Sequence, residues 1–197
     1  MHNIIEVSNI TETAIMVRDF TRLKFSASQL LICAGFMMLI PGSSLAVPLS
    51  NLEDARQHKV ELMPENVELR YLVEQVHRGI NEYRASLNLP PLRLNTQINH
   101  QAEIHSQKMA QQVVKFSHHG FNARIGALKG SIAYRRAAEN VAFNQGYKDP
   151  AQTAIAGWIK SEGHHQNMVG DFNLTGIGVA RNSQGEYYFT QIFIKGK

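Results

Sequence analysis

The 197-residue chain has little sulfur chemistry available to it: Cys33 is its single cysteine, and it sits in the N-terminal apolar stretch. One cysteine cannot form an internal disulfide, and no thiol follows Cys33, so the rest of the chain has no thiol nucleophile and no cysteine metal ligand. Long basic runs are also absent. The longest Lys/Arg block is Arg135-Arg136 and the formal net charge is +4. A nucleic-acid groove clusters its charge, so no nucleic-acid partner is expected, although a weak preference for anionic surfaces or polymers is compatible with the charge. The chain has no GxSxG elbow, HExxH pair, P-loop or GxGxxG turn. A composition of 44% hydrophobic and 18% charged residues excludes disorder as a description of the whole chain.

The N-terminus carries an export signal. Arg18, Arg22 and Lys24 precede the apolar run Leu30–Ile40, Pro41-Gly42 break it, and Ser44-Leu45-Ala46 place small residues at a cleavage site. The run is shorter than the roughly 20 apolar residues of a spanning helix. We read 1–46 as an N-terminal extension with a signal peptide cleaved after Ala46, Met16 being an alternative start to Met1. An uncleaved signal anchor is the competing reading, and a lipoprotein reading of Cys33 is weaker because Ile32 replaces the small residue wanted there. The expected location is secreted or periplasmic, with membrane contact only transiently through the signal. Cys33 leaves with the signal, and a mature chain of about 150 residues is long enough to be held by its core alone.

Residues 47–64 are polar and read as a leader, followed by one domain over 65–197. A helix starts near Glu65, with Leu69, Leu72, Val73, Val76, Ile80, Tyr83 and Leu87 on one stripe, and Asn88-Leu89-Pro90-Pro91 stops it. Leu92 and Leu94 lie in an extended connector. Asn95-Thr96 cap a second helix carrying Ile98, Ala102, His105, Met109 and Val113. Lys115 to Asn140 is punctuated by glycines and reads as loops with one short helix. Asp149-Pro150 open a third helix that ends at Gly163. Thr175–Ala180 and Tyr187–Ile194 form a hairpin around Asn182-Ser183-Gln184-Gly185. Helices first and strands last make an α+β domain.

Chemistry concentrates in two histidine pairs beside glycines, His118-His119 in FSHHG and His164-His165 in GHHQN. Adjacent residues point in different directions, so one histidine of each pair is available to a shared site. Two imidazoles fall short of the three protein ligands usual for catalytic zinc, so a divalent metal at His118 and His164 needs help from Glu139 or water. Glu139, in Ala137-Ala138-Glu139-Asn140, suits a turn that aims its carboxylate inward to orient a histidine or act as a base; the bland alternative is a local backbone bond. Ser161 is a hydrogen-bonding candidate for the same cleft, and Glu162 is by default a solvated helix end. His100 and His105 read as packing or surface residues, and Trp158 as a core anchor.

Taken in order, INEYRASLNLPPLRLN (80–95), FSHHGFNAR (116–124), AENVA (138–142), WIKSEGHHQNM (158–168), GIGVA (176–180) and YYFTQIF (187–193) resemble the bacterial branch of the CAP superfamily, the SCP domain of cysteine-rich secretory, antigen and pathogenesis-related proteins. The resemblance covers about 69–193 and implies a three-layer α-β-α sandwich with a central antiparallel sheet and a surface cleft. Other branches of that family line the cleft with two His and two Glu, some binding zinc and some carrying sterols or fatty acids. By that resemblance His118 takes the first histidine position and Glu139 the first glutamate position, with Ala138 replacing a glycine. Ser161 falls where the second glutamate belongs and Tyr188 where the second histidine belongs. His164 matches the histidine of a bacterial GHR motif, with His165 in place of its arginine.

Three functions are compatible with this pattern. The first is an exported binding module whose cleft, lined by His118, Glu139, Ser161, Glu162, His164 and Tyr188, accepts a lipid, peptide or envelope-polymer ligand. The second is a hydrolase of peptide or cell-envelope material, metal-assisted or His/Glu-based, with His118, Glu139 and His164 as catalytic candidates. The third is a structural or interaction domain with a vestigial cleft.

Overall fold

A computed structural model of the chain describes residues 65–197. The expected signal peptide, its expected cleavage after Ala46, Cys33 and the expected 47–64 leader lie outside the described residues. Among the described residues no helix is long and apolar enough to cross a membrane.

The chain order is α1 (Glu65–Ser86), β1 (Arg93–Leu94), α2 (Thr96–Ala110), α3 (Phe121–Gly126), β2 (Tyr134–Gln145), α4 (Pro150–Lys160), α5 (Glu162–Val169), β3 (Leu174–Arg181) and β4 (Glu186–Gly196). Local chemistry sets several boundaries. The Asn95 side chain accepts from the amides of Gln97 and Ile98 at the start of α2, and Asp149 accepts from Gln152 ahead of Pro150 at the start of α4. Asn182 Oδ1 accepts from the amides of Gln184 and Glu186, closing the β3–β4 turn as expected from its sequence.

The sheet order is β1-β3-β4-β2. β2, β4 and β3 run antiparallel; the two-residue β1 pairs parallel with β3, so the expected antiparallel sheet is mixed at that edge. One face is covered by α1 and α4, whose Leu72, Val76, Ile80, Ile155 and Trp158 pack with Ile177, Phe189 and Phe193 of the sheet. α2 covers the other, burying Ile98 and Ala102 with Ile192 and Ile194. These are the three layers of an α-β-α sandwich.

Two elements depart from the sequence reading. Tyr134–Gln145 is a full strand rather than loop, and the third helix breaks at Ser161, with a separate α5 turning away. Val113, expected on the α2 stripe, lies beyond the end of that helix and is 66% exposed.

The layers meet most closely where α2 crosses β3. A Cβ on Gly178 would come within 2.1 Å of the Glu103 amide nitrogen, and one on Gly176 within 2.3 Å of the Ile98 carbonyl carbon. The glycines of GIGVA therefore serve helix–sheet contact. Polar bridges reinforce it: Ser106 Oγ hydrogen-bonds to Gly178 O and Thr190 Oγ1, and Asn99 Oδ1 accepts from the Ile177 amide.

Candidate functional site

β2 is an edge strand, and its outward carbonyls need partners that no further strand supplies. Side chains from α4 and α5 supply them. Trp158 Nε1 donates to Val141 O at 3.0 Å and Asn167 Nδ2 to Glu139 O at 3.2 Å, while Asn140 Nδ2 donates back to His164 O at 3.1 Å. Trp158 is thus a core anchor that also caps a strand edge. The pair of helices docks against β2 where Glu139 sits, which brings His164 toward the loop that carries His118.

Glu139 is buried and doubly held. Arg124 donates through Nε to Oε2 at 2.9 Å and through Nη2 to Oε1 at 2.7 Å, and His118 Nδ1 lies 3.0 Å from Oε1. An ionised carboxylate paired bidentately with arginine only accepts, so the proton of this last bond is on His118 Nδ1. Arg124 is itself fixed by donating to His119 O at 2.8 Å and to His105 Nδ1 at 3.1 Å. A guanidinium cannot accept, so His105 Nδ1 is the acceptor and its Nε2–H donates to Ser117 O at 2.8 Å. Burial first, then the Arg124 charge, push the His105 pKa down, consistent with that neutral ring. Gly120, at φ 79°, caps α3 in a left-handed turn, and a Cβ there would lie 3.3 Å from Arg124 Nη1.

Facing His118, His164 is 4% exposed and its Nδ1 shares a 2.8 Å hydrogen bond with Ser161 Oγ. Ser161 occupies the N-cap of α5 without capping it, and its hydroxyl is directed to the imidazole instead. Burial, then the neighbouring His118, lower the His164 pKa to about 4, so the ring is neutral near neutral pH. The His118 and His164 ring centres are 6.1 Å apart. Each ring commits Nδ1 to the protein, and each Nε2 is a buried atom with no hydrogen-bond partner among the described residues. The His118 side chain is 21% exposed, so part of this ring reaches solvent.

Of the residues singled out from sequence, His118, Glu139, Ser161 and His164 come together here. Glu162 and Tyr188 do not. Glu162 is exposed at the start of α5, within 3.5 Å of Gln166. Tyr188 pairs with Phe143, four residues along β2 from Glu139; it stacks with Phe116 and Phe143, and its hydroxyl donates to Glu186. Burial, then Glu186, push its pKa up to about 12. His165 bonds Tyr83 OH at 2.9 Å, and His119 is exposed.

Sequence reasoning missed Arg124 and read His105 as packing or surface; both belong to the network holding Glu139. A signal was available. Phe121, Ile125 and Leu128 form an apolar stripe, and Arg124 lies on it at the i+3 position, where a cation is buried only if a carboxylate meets it.

The donor set does not fit a resident metal ion. Two imidazole nitrogens are available where three protein ligands are usual, both Glu139 oxygens are engaged, and among the described residues no group of three or more His, Cys, Asp or Glu is arranged to hold a metal. A depression of about 380 Å³ lined by Thr96, His100, Gln101, Leu128 and Ser131 lies elsewhere and does not include the histidine pair.

The fold and this site define an α-β-α domain with a buried histidine pair at the edge of its sheet. The chain belongs to the cysteine-rich secretory protein (CAP) family, whose model matches residues 77–193, more than half of its length. An extracellular protein containing an SCP domain from Bacillus anthracis is 28% identical, with TM-score 0.55 over 68% of this chain and 44% of that one. This chain thus spans less than half the length of that protein. An outer surface protein from Borrelia burgdorferi (19% identity, TM-score 0.55, 64% of this chain and 94% of that one) and a cysteine-rich secretory protein from Staphylococcus aureus (21%, 0.52, 65% and 39%) share the fold. No curated protein matches the chain.

Proposed function

We propose that this CAP domain is an exported binding module that takes its ligand at the His118–His164 cleft. The observation that carries the reading is the pair of buried Nε2 atoms without protein partners. A buried polar group left unpaired costs about 1–3 kcal/mol, and two such atoms on neighbouring rings are an arrangement that a ligand relieves. His118 gives Nδ1 to Glu139 and His164 gives Nδ1 to Ser161, so both rings leave Nε2 to the ligand, and the group they suit is a small uncharged one that can donate as well as accept: a hydroxyl or an amide. That favours a peptide or glycan part of envelope material over the carboxylate end of a fatty acid. Phe116 and Phe143, half-buried with ring centres 6.1 Å apart, offer apolar contact to the remainder.

The export signal in the sequence supports action outside the cytoplasm, as do the extracellular and outer-surface descriptions of the similar proteins. Two features weigh against hydrolysis. Glu139 has both oxygens engaged by Arg124 and His118, which removes it as a free base. His164 touches Ser161 Oγ, but a ring whose pKa is near 4 is a weak base for activating a hydroxyl near neutral pH. Calorimetric titration of the full chain with a soluble muropeptide, a short peptide and palmitate tests the reading. The muropeptide or the peptide should bind, and His118→Ala/His164→Ala should weaken that binding at least tenfold. Equal binding by protein and variant, or binding of palmitate alone, would refute it.

A further inference from the structure

A second feature lies about 10 Å along β2 from Glu139, counting three strand residues to Arg136. At this corner Arg136 stands directly opposite Lys195 of β4 in the ladder. Like charges directly opposite each other destabilise a strand pair. A bulge between Tyr134 and Arg136 adds Arg135 to the same corner, and bulges re-aim side chains at sheet ends.

Of these three cations, Lys195 is the one paired with a carboxylate. Lys195 Nζ lies 2.5 Å from Asp171 Oδ1. That bond first, and then the charges of Lys195, Arg135 and Arg136, hold the Asp171 pKa below its ordinary value. Arg136 also lies over the Phe172 ring, with its guanidinium carbon 4.8 Å from the ring centre. Stacking of this kind holds a guanidinium plane while leaving its N–H edges available. Arg135 and Arg136 are exposed, and among the described residues neither side chain makes a hydrogen bond or an ion pair.

We infer that Arg135, Arg136 and Lys195 form a phosphate-binding subsite, independent of what the histidine cleft binds. A carboxylate has two oxygens and is already matched by one guanidinium fork. A phosphate has enough oxygens to engage a fork and two further cations together, and arginine forks match its geometry bidentately. The phosphate belongs to a lipid headgroup or to a soluble phosphate ester.

The full chain, its Arg135→Gln/Arg136→Gln variant and a Lys108→Gln/Lys148→Gln control with the same charge removed from other exposed positions are compared. Each is titrated with glycerol 3-phosphate, followed by the NMR shifts of the arginine side-chain N–H groups, and is sedimented with phosphatidylglycerol vesicles and with phosphatidylcholine vesicles. The arginine variant should bind at least tenfold more weakly and the control less than twofold. Arg136 is exposed, so the variant should keep the native melting temperature, and Arg135→Gln alone serves if it does not. Saturable binding of glycerol 3-phosphate identifies a soluble ester as sufficient. Binding to phosphatidylglycerol vesicles alone identifies the headgroup at a bilayer surface. Equal loss in the control reduces the effect to net charge and overturns the subsite, as does the absence of binding in both arms.

Discussion

Arg124 and Glu139 show how one residue pair fixes a histidine. Their oxygens and nitrogens meet at 2.7 and 2.9 Å in a buried setting, and His118 takes its orientation from the same carboxylate. Removing one partner of a buried ion pair leaves an uncompensated charge and costs about 3–5 kcal/mol. Arg124→Met should therefore destabilise strongly in urea unfolding, and adding Glu139→Leu should recover part of the loss, with a coupling of about 1–3 kcal/mol in a double-mutant cycle. Additive single effects would mean that the pair holds nothing together. His164 gives a second test at this scale. Its folded pKa, about 4, lies below the ordinary histidine value of 6.5. Above about pH 6.5 the ring is neutral folded and unfolded, so it adds no pH dependence there; between about 6.5 and 4 the unfolded chain takes up a proton that the folded chain does not. Stability should fall as pH drops through that window, by at most about 3 kcal/mol from this residue. His105, with its pKa also lowered, acts in the same direction. A His164→Gln variant should show a flatter profile of urea midpoint against pH; an unchanged profile would place the pH dependence elsewhere.

Single elements account for what could and could not be read from the sequence. α1, α2, α4 and the hairpin announced themselves through helical stripes, the Asn95 and Asp149 caps and the Asn182–Gly185 turn. β2 did not, because both of its faces are buried and both are chemically mixed. Ala137, Glu139, Val141 and Phe143 alternate with Ala138, Asn140, Ala142 and Asn144, so no polar–apolar alternation exists to detect. Its polar members are there to bond α4, α5 and Arg124, which are distant in sequence. The α4–α5 break was hidden because Ser161 is bonded to His164 rather than to the helix it precedes. The glycines, by contrast, divide by position. Gly178→Ala puts a methyl group against the backbone of α2, and overpacking of this kind costs about 1–3 kcal/mol or more. Gly163→Ala meets nothing within 4 Å on the exposed start of α5. Helix propensity then makes it neutral or stabilising by up to about 1 kcal/mol. Thermal melts of the two variants should separate them in that order, and equal melting would contradict the close approach of α2 to β3.

At the scale of the molecule, the histidine pair sits where the sandwich is least complete. The edge strand β2 has no further strand beside it, so side chains of α4 and α5 close its carbonyls, and the seam between those helices and the 116–120 loop brings the two histidines together. From sequence the histidines were recognisable as pairs beside glycine, and resemblance indicated which member of each pair to choose. The network behind them was visible only in part: Glu139 and Ser161 were named, whereas His105 and Arg124 join Glu139 only after the sheet has formed. Such a seam sets binding against stability. The domain keeps two buried nitrogens unpaired and a desolvated imidazole that resists protonation, each unfavourable without a ligand. Replacing His164 with phenylalanine removes one of those nitrogens and the proton linkage while keeping a ring in place. At pH 5 the His164→Phe protein should therefore unfold at a higher urea concentration than the parent when neither is bound. A ligand present at a hundredfold excess over its Kd stabilises the parent by about 2.7 kcal/mol, and the variant should lose most of that increment. The order of stability should thus reverse when ligand is added. A variant less stable than the parent both with and without ligand would mean that His164 is retained for packing, and the seam would then be a structural joint.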